Sequence, residues 1–193
     1  MNLFLETSPL LVVGIIIGVI VLIFVFWYIG TMNSFRQLEV KVDEALSGID
    51  VALTKRFDAL TKMLDTTKGY AKHESETLEK VIKWRNGIPQ NATLEQRQEF
   101  ADSLTKVANG LNVVVERYPD LKADNMFTKL QNAIMDTEEH LQASRRVYNS
   151  NVRVINQKIV TFPQSWVAKK IGMTKKAFFE AEEAKRQDVK MTF

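Results

Sequence analysis

Apolar positions follow two regimes along this chain. From Leu10 to Ile29 they are unbroken: twenty consecutive residues carry no charge and no strongly polar side chain. As a helix, such a run spans roughly 30 Å, the thickness of a bilayer's hydrocarbon core. A single segment can cross lipid only as a helix, because lipid offers backbone N–H and C=O groups no partner. After Thr31 the pattern changes to recurrence every three or four residues, with charge on the opposite face. Phe35, Leu38, Val42, Ala45, Ile49, Leu53, Phe57, Leu60 and Leu64, then Ala71, Leu78 and Ile82, keep this spacing toward Asn86. Asn86-Gly87-Ile88-Pro89 reads as its stop. Gly48 and Gly69 interrupt the stripe and mark either close helix contacts or kinks.

A second helix is expected from Thr93, where Thr93-Leu94-Glu95-Gln96 has capping-box spacing. Its stripe is Ala101, Leu104, Ala108, Leu111, Val115 and Tyr118, and Pro119 ends it. A third runs from about Asn125 to Val160, with Phe127, Leu130, Ile134, Leu141, Tyr148, Ile155 and Ile159 on one face, and stops at Thr161-Phe162-Pro163. Ser165 to about Val189 holds two short helical stretches separated by Gly172-Met173-Thr174, with Thr174 as an N-cap. No segment alternates with period two for long enough to form a strand. The expected fold is all-α: an N-terminal transmembrane helix followed by an antiparallel bundle of three long helices, packed up-down-up, plus short C-terminal helices. The divisions are a short extracytoplasmic N-terminus (1–9), the transmembrane helix (10–29), the bundle (30–160) and a basic segment closing it (161–193).

The apolar run reads as an uncleaved anchor. No Lys or Arg precedes it, Glu6 does, and no small-x-small cleavage site follows. Pro9 sits at its mouth, where a missing N–H costs nothing. Trp27 and Tyr28 lie at the far end, as amphipathic rings do at a membrane interface, and Arg36 and Lys41 come soon after. Positive charge on that side places the N-terminus outside and the large domain in the cytoplasm. Gly14 and Gly18 form a GxxxG strip suited to helix–helix contact within the membrane, although glycine is also simply tolerated there.

Charge changes the picture little at first. The chain has 26 basic and 23 acidic side chains; the last 33 residues hold seven and four of these, leaving the first 160 balanced at 19 and 19. A neutral, well-mixed body argues against nucleic-acid binding. The absence of cysteine removes disulfides, thiolate metal sites and cysteine nucleophiles. His73-Glu74 begins like a zinc HExxH, but Thr77 stands where the second histidine is required. The only other histidine is His140. Glu74, Glu76 and Glu79, near Lys72 and Lys80, lack the Glu-x-x-His partners of a di-metal bundle site. No catalytic residue, metal site or cofactor site is expected. Lys55-Arg56 and Arg145-Arg146-Arg153 read as solvated helix flanks, or less simply as a grip for an acidic partner. In the C-terminal segment Phe162, Trp166, Val167, Ile171, Phe178 and Phe179 alternate with Lys169, Lys170, Lys175 and Lys176. Two readings stand: contact with an anionic leaflet or acidic partner, or Phe162 and Trp166 capping the bundle beside solvated lysines.

The run from Val42 to Val51 (VDEALSGIDV) resembles the LemA family, as do Lys55-Arg56-Phe57-Asp58-Ala59-Leu60 and Lys68-Gly69-Tyr70-Ala71-Lys72-His73-Glu74. The resemblance resumes at Tyr118-Pro119-Asp120-Leu121-Lys122-Ala123 and Arg145-Arg146-Val147-Tyr148-Asn149, and ends with Phe162-Pro163, Ala168-Lys169 and Phe178-Phe179-Glu180-Ala181. It implies a bacterial inner-membrane protein with a short outside N-terminus and a cytoplasmic antiparallel bundle. It supplies no enzymatic activity, cofactor or catalytic residue. Leu46 stands where the family usually has Trp, and Thr61 where many members have Pro, so this helix should run straighter than in relatives. The functional expectation is a non-enzymatic, membrane-anchored protein that assembles with copies of itself at the cytoplasmic face, in a structural role in the envelope. The alternative is a scaffold for another membrane or envelope protein. The expected partners are the bilayer, further copies of the chain and other envelope proteins.

Overall fold

The computed structural model describes residues 9–67, 88–89, 91–118 and 125–179. Within these the chain forms four helices: α1 (Pro9–Thr67), α2 (Leu94–Arg117), α3 (Asn125–Val160) and α4 (Gln164–Lys170), with no strand. The fold is all-α, as the spacing requires.

The membrane-length apolar run and the amphipathic stripe prove to be one helix. α1 passes through Gly30 without a break and continues for 59 residues, roughly 90 Å at the ordinary rise. It also passes through Thr61, whose hydroxyl donates to the Phe57 carbonyl at 2.9 Å. Where a proline would have removed a rung, the ladder here is whole. Gly48 marks neither a break nor a tight contact: a Cβ there would meet nothing nearer than Ser144 Oγ at 4.0 Å. The expected continuation to Asn86, with Gly69, Ala71, Leu78 and Ile82, lies outside the described residues.

The chain gathers into two compact units. Among the described residues one comprises 9–41 and 153–176, the other 42–152 and 177–179. In the larger unit the stripe residues Val42, Ala45, Ile49, Leu53, Leu60 and Leu64 are buried as the spacing predicts, joined by Ala52, Ala59 and Met63. α2 contributes Phe100, Ala101, Leu104, Val107, Leu111, Val114 and Val115. α3 contributes Phe127, Leu141, Tyr148 and Val152. Tyr118, expected to close the α2 stripe, is instead 40% exposed, because α2 ends at Arg117 and the residue no longer follows the helical face.

Cross-helix partners fix the directions. Gly48 lies beside Ser144 and Arg56 pairs with Glu138, so α1 and α3 are antiparallel. Asp50 pairs with Arg97 and Arg56 with Thr105; both numbers rise together, so α1 and α2 run parallel. The up-down-up order is therefore corrected to up-up-down: the reversal expected between α1 and α2 is absent, and the one between α2 and α3 is present. A stripe tells which face is buried but not against which direction of neighbour, and 26 residues separate Thr67 from Leu94.

Helix ends follow local chemistry. The Thr93 hydroxyl accepts from the Gln96 N–H at 3.2 Å, and the Gln96 side chain accepts from the Thr93 N–H at 2.8 Å, completing the expected capping box. α3 stops at Val160, before Thr161-Phe162-Pro163, as predicted. α4 closes with Gly172 at φ +73°, the Gly172 N–H bonded to the Lys169 carbonyl and the Met173 N–H to that of Ala168. This is a Schellman end, which a side chain at Gly172 would strain. Beyond it, residues 173–179 are not helical, so the expected N-cap at Thr174 does not form. The rest of that stretch lies outside the described residues.

Candidate membrane-interface site

In the smaller unit the first turns of α1 are exposed on every side: large apolar residues from Leu10 to Phe26 all face outward. Among the described residues α1 is the one helix long and apolar enough to cross a membrane. Gly14 and Gly18 have nothing within 4 Å of where a Cβ would stand, so their strip is open.

At the other end of the apolar run the chain folds back on itself. The Trp166 ring of α4 lies 5.9 Å from that of Phe24 and 6.1 Å, edge-on, from that of Tyr28; Phe24 in turn lies 5.6 Å from Trp27. These offset and edge arrangements suit the aromatic quadrupole. They make Trp27 and Tyr28 half-buried while Trp166 remains 50% exposed. α4 is held because Val167 and Ala168 are buried, as are Phe35 and Ile155 of the same unit. Phe162, in the α3–α4 turn, is 83% exposed.

The polar fittings of this unit are specific. Glu39 accepts from Lys176 at 3.2 Å and from Arg36 at 3.2 Å. The Lys176 hydrogen bond, above all, holds the Glu39 carboxyl below the ordinary glutamate value against the opposing effect of burial, with Arg36 adding a lesser push the same way. Lys158 Nζ donates to Ser34 Oγ at 2.6 Å. Asn156 clasps the backbone of Lys176, its amide donating to the carbonyl at 2.8 Å and its oxygen accepting from the N–H at 2.8 Å. Lys176 therefore has a protein partner on both its ends. Lys169, Lys170 and Lys175 are exposed, and so are Lys41 and the Glu39-bonded Arg36.

Folding also sorts the charges in a way that reading along the chain conceals. Residues 30–41 and 153–176, the part of this unit that follows the apolar run, hold Arg36, Lys41, Arg153, Lys158, Lys169, Lys170, Lys175 and Lys176 against the single carboxylate of Glu39, a net of +7. The balance of the first 160 residues stands, but it is a sum along the chain: segments more than a hundred residues apart pool their cations in this unit.

The larger unit contains two arginines in its interior. Arg97 is 5% exposed and makes a paired contact with Asp50, Nε to Oδ1 at 2.6 Å and Nη2 to Oδ2 at 2.8 Å, and also donates to the Ala92 carbonyl. The Asp50 hydrogen bond favours the charged guanidinium and raises its pKa further, outweighing burial. Arg56 is 3% exposed, bonded to Thr105 at 3.2 Å and paired with Glu138 at 2.7 Å. It is not the solvated flank its neighbour Lys55 suggested. Arg145 lies 4.8 Å over the Phe179 ring, and Asn149 clasps the Phe179 backbone at 2.9 and 2.8 Å as Asn156 does Lys176. The buried Tyr148 hydroxyl, its pKa raised by burial, donates to the Ala177 carbonyl at 3.0 Å. His140 is exposed on α3, and His73, Glu74, Glu76 and Glu79 lie outside the described residues.

The LemA family model matches residues 45–193. A curated relative, Protein LemA of Metamycoplasma hominis, is 32% identical over 169 residues, covering 86% of this chain and 77% of its own. This chain belongs to the LemA family. The match begins at Ala45, within α1, and takes in both arginine pairs, both asparagine clasps and α4. In this LemA-family chain a helix of membrane-crossing length thus continues directly into the matched region.

Proposed function

We propose that this LemA-family chain is a non-catalytic, single-pass membrane protein that assembles laterally with copies of itself at the cytoplasmic face of a bacterial inner membrane, in a structural role in the envelope. The observation that carries the reading is the continuity of α1 from an apolar segment exposed on every side into the bundle. Lipid satisfies most of that apolar surface. The open Gly14–Gly18 strip suits a second span, since two glycines one turn apart let helix backbones approach closely. Confinement to a plane lowers the entropic cost of the encounter. The inward orientation is supported by the absence of Lys and Arg before the run and the +7 that folding gathers after it.

The test is the mass of the full chain in nanodiscs. More than one copy per disc is expected at physiological density, and Gly14→Leu with Gly18→Leu should shift the population toward one. A chain that stays monomeric at every density contradicts self-assembly. Recovery of a stoichiometric foreign protein on affinity capture would favour the scaffold reading instead.

A further inference from the structure

We infer that α4 and the turn before it form a second, in-plane membrane anchor, in which Trp166 and Phe162 enter the lipid interface and Lys169, Lys170 and Lys175 bind anionic phospholipid headgroups of the leaflet that α1 crosses. The inference rests on reading α1 as the span. Depth comes from geometry. Phe24 lies five residues inside the end of the apolar run at Ile29, roughly 8 Å along the helix. Trp166 is held 5.9 Å from its ring and 6.1 Å from that of Tyr28. An indole fixed there sits at the level where tryptophan collects in membrane proteins, its ring apolar and its N–H wet.

Phe162 precedes α4 in the turn that leads into Trp166. It is 83% exposed, although Val167 and Ala168 on the adjoining helix are fully packed. A benzyl group left bare four residues before an indole that packs on the span has acyl chains as its natural cover. The lysines complete the amphipathic arrangement: Lys169 and Lys170 end α4, Lys175 follows, and all three are exposed. Past the apolar run, residues 30–41 and 153–176 of this unit hold eight cations and one carboxylate, which Arg36 and Lys176 share, so the platform carries a net positive charge. Such a charge beside aromatics draws a surface of anionic lipid. A dissolved polyanion would account for the lysines but not for the exposed Phe162 and Trp166.

The chain has three tryptophans, Trp27, Trp84 and Trp166. Trp27→Phe with Trp84→Phe leaves Trp166 as sole reporter; Trp84→Phe with Trp166→Phe leaves Trp27. Each full-length variant is reconstituted into vesicles of phosphatidylcholine, or of phosphatidylcholine mixed with phosphatidylglycerol, containing lipids brominated on the acyl chains. Helix content by circular dichroism confirms the fold. Both reporters should be quenched. For Trp166 the quenching should be about twofold stronger in the anionic mixture, and this excess should vanish in Lys169→Glu/Lys170→Glu/Lys175→Glu and at about 1 M salt, where screening acts within ~3 Å. Quenching of Trp27 without Trp166 overturns the anchor and leaves the span intact. Quenching of neither overturns both. Trp166 quenching that ignores lipid charge and the lysine reversals overturns the headgroup assignment.

Discussion

Asp50 and Arg97 are unequal ends of their ion pair. Asp50→Ala leaves the guanidinium of a residue that is 5% exposed without its carboxylate, a loss on the order of 3 kcal/mol. Arg97→Met leaves a carboxylate whose side chain is 30% exposed and can hydrate, so the loss should be smaller, about 1–2 kcal/mol. Urea unfolding of the full chain in detergent, followed by helix ellipticity, checks that order. Gly48→Ala should go the other way. With 4.0 Å of clearance to Ser144, the gain in helix propensity is about 1 kcal/mol. Glu39 gives a pH signature. Its folded pKa lies below the ordinary 4.5, so its contribution is complete above that value and is lost as pH falls through the folded pKa. A carboxyl titration by NMR should find the midpoint below 4.5 and return it toward 4.5 in Lys176→Gln. The buried arginines were legible in principle. Arg56 and Arg97 stand in phase with the apolar stripes, at the spacing of Ile49, Leu53 and Leu60 and of Ala101 and Leu104. A charged residue in that phase must find a partner inside, but a stripe does not name the partner on another helix.

At the scale of elements, the start of α2 and both ends of α3 could be read from the chain, because caps and prolines act within a few residues. The direction of α2 could not, since it depends on contacts between helices. The non-helical stretch 173–179 was also hidden. Its backbone groups are satisfied by side chains of α3, with Asn156 holding Lys176 and Asn149 holding Phe179, and sequence spacing carries no sign of such clasps. Asn156→Ala removes an acceptor from the Lys176 N–H and a donor to its carbonyl. At about 1 kcal/mol for each of the two bonds, the Lys176 amide should exchange with solvent roughly thirtyfold faster, and Asn149→Ala should do the same at Phe179. Mass-spectrometric hydrogen exchange over this segment reads both. Equal protection in wild type and variants would mean the clasps do not hold the segment.

For the whole molecule, the decisive pattern lies at the start of the chain: twenty consecutive residues, Leu10 to Ile29, without a charge or a strongly polar side chain. That much needed no structure. What needed one was the pooling of cations after the span, since 30–41 and 153–176 are remote in sequence and each looks unremarkable alone. Together they strengthen the expectation that this side stays in the cytoplasm. Because the chain has no cysteine, single substitutions can report the side directly. Asn2→Cys and Ser150→Cys variants, expressed in spheroplasts, are treated with a membrane-impermeant maleimide before and after lysis. The account predicts that Asn2→Cys is labelled in intact spheroplasts and Ser150→Cys only once they are opened. Labelling of Ser150→Cys in intact spheroplasts would contradict it.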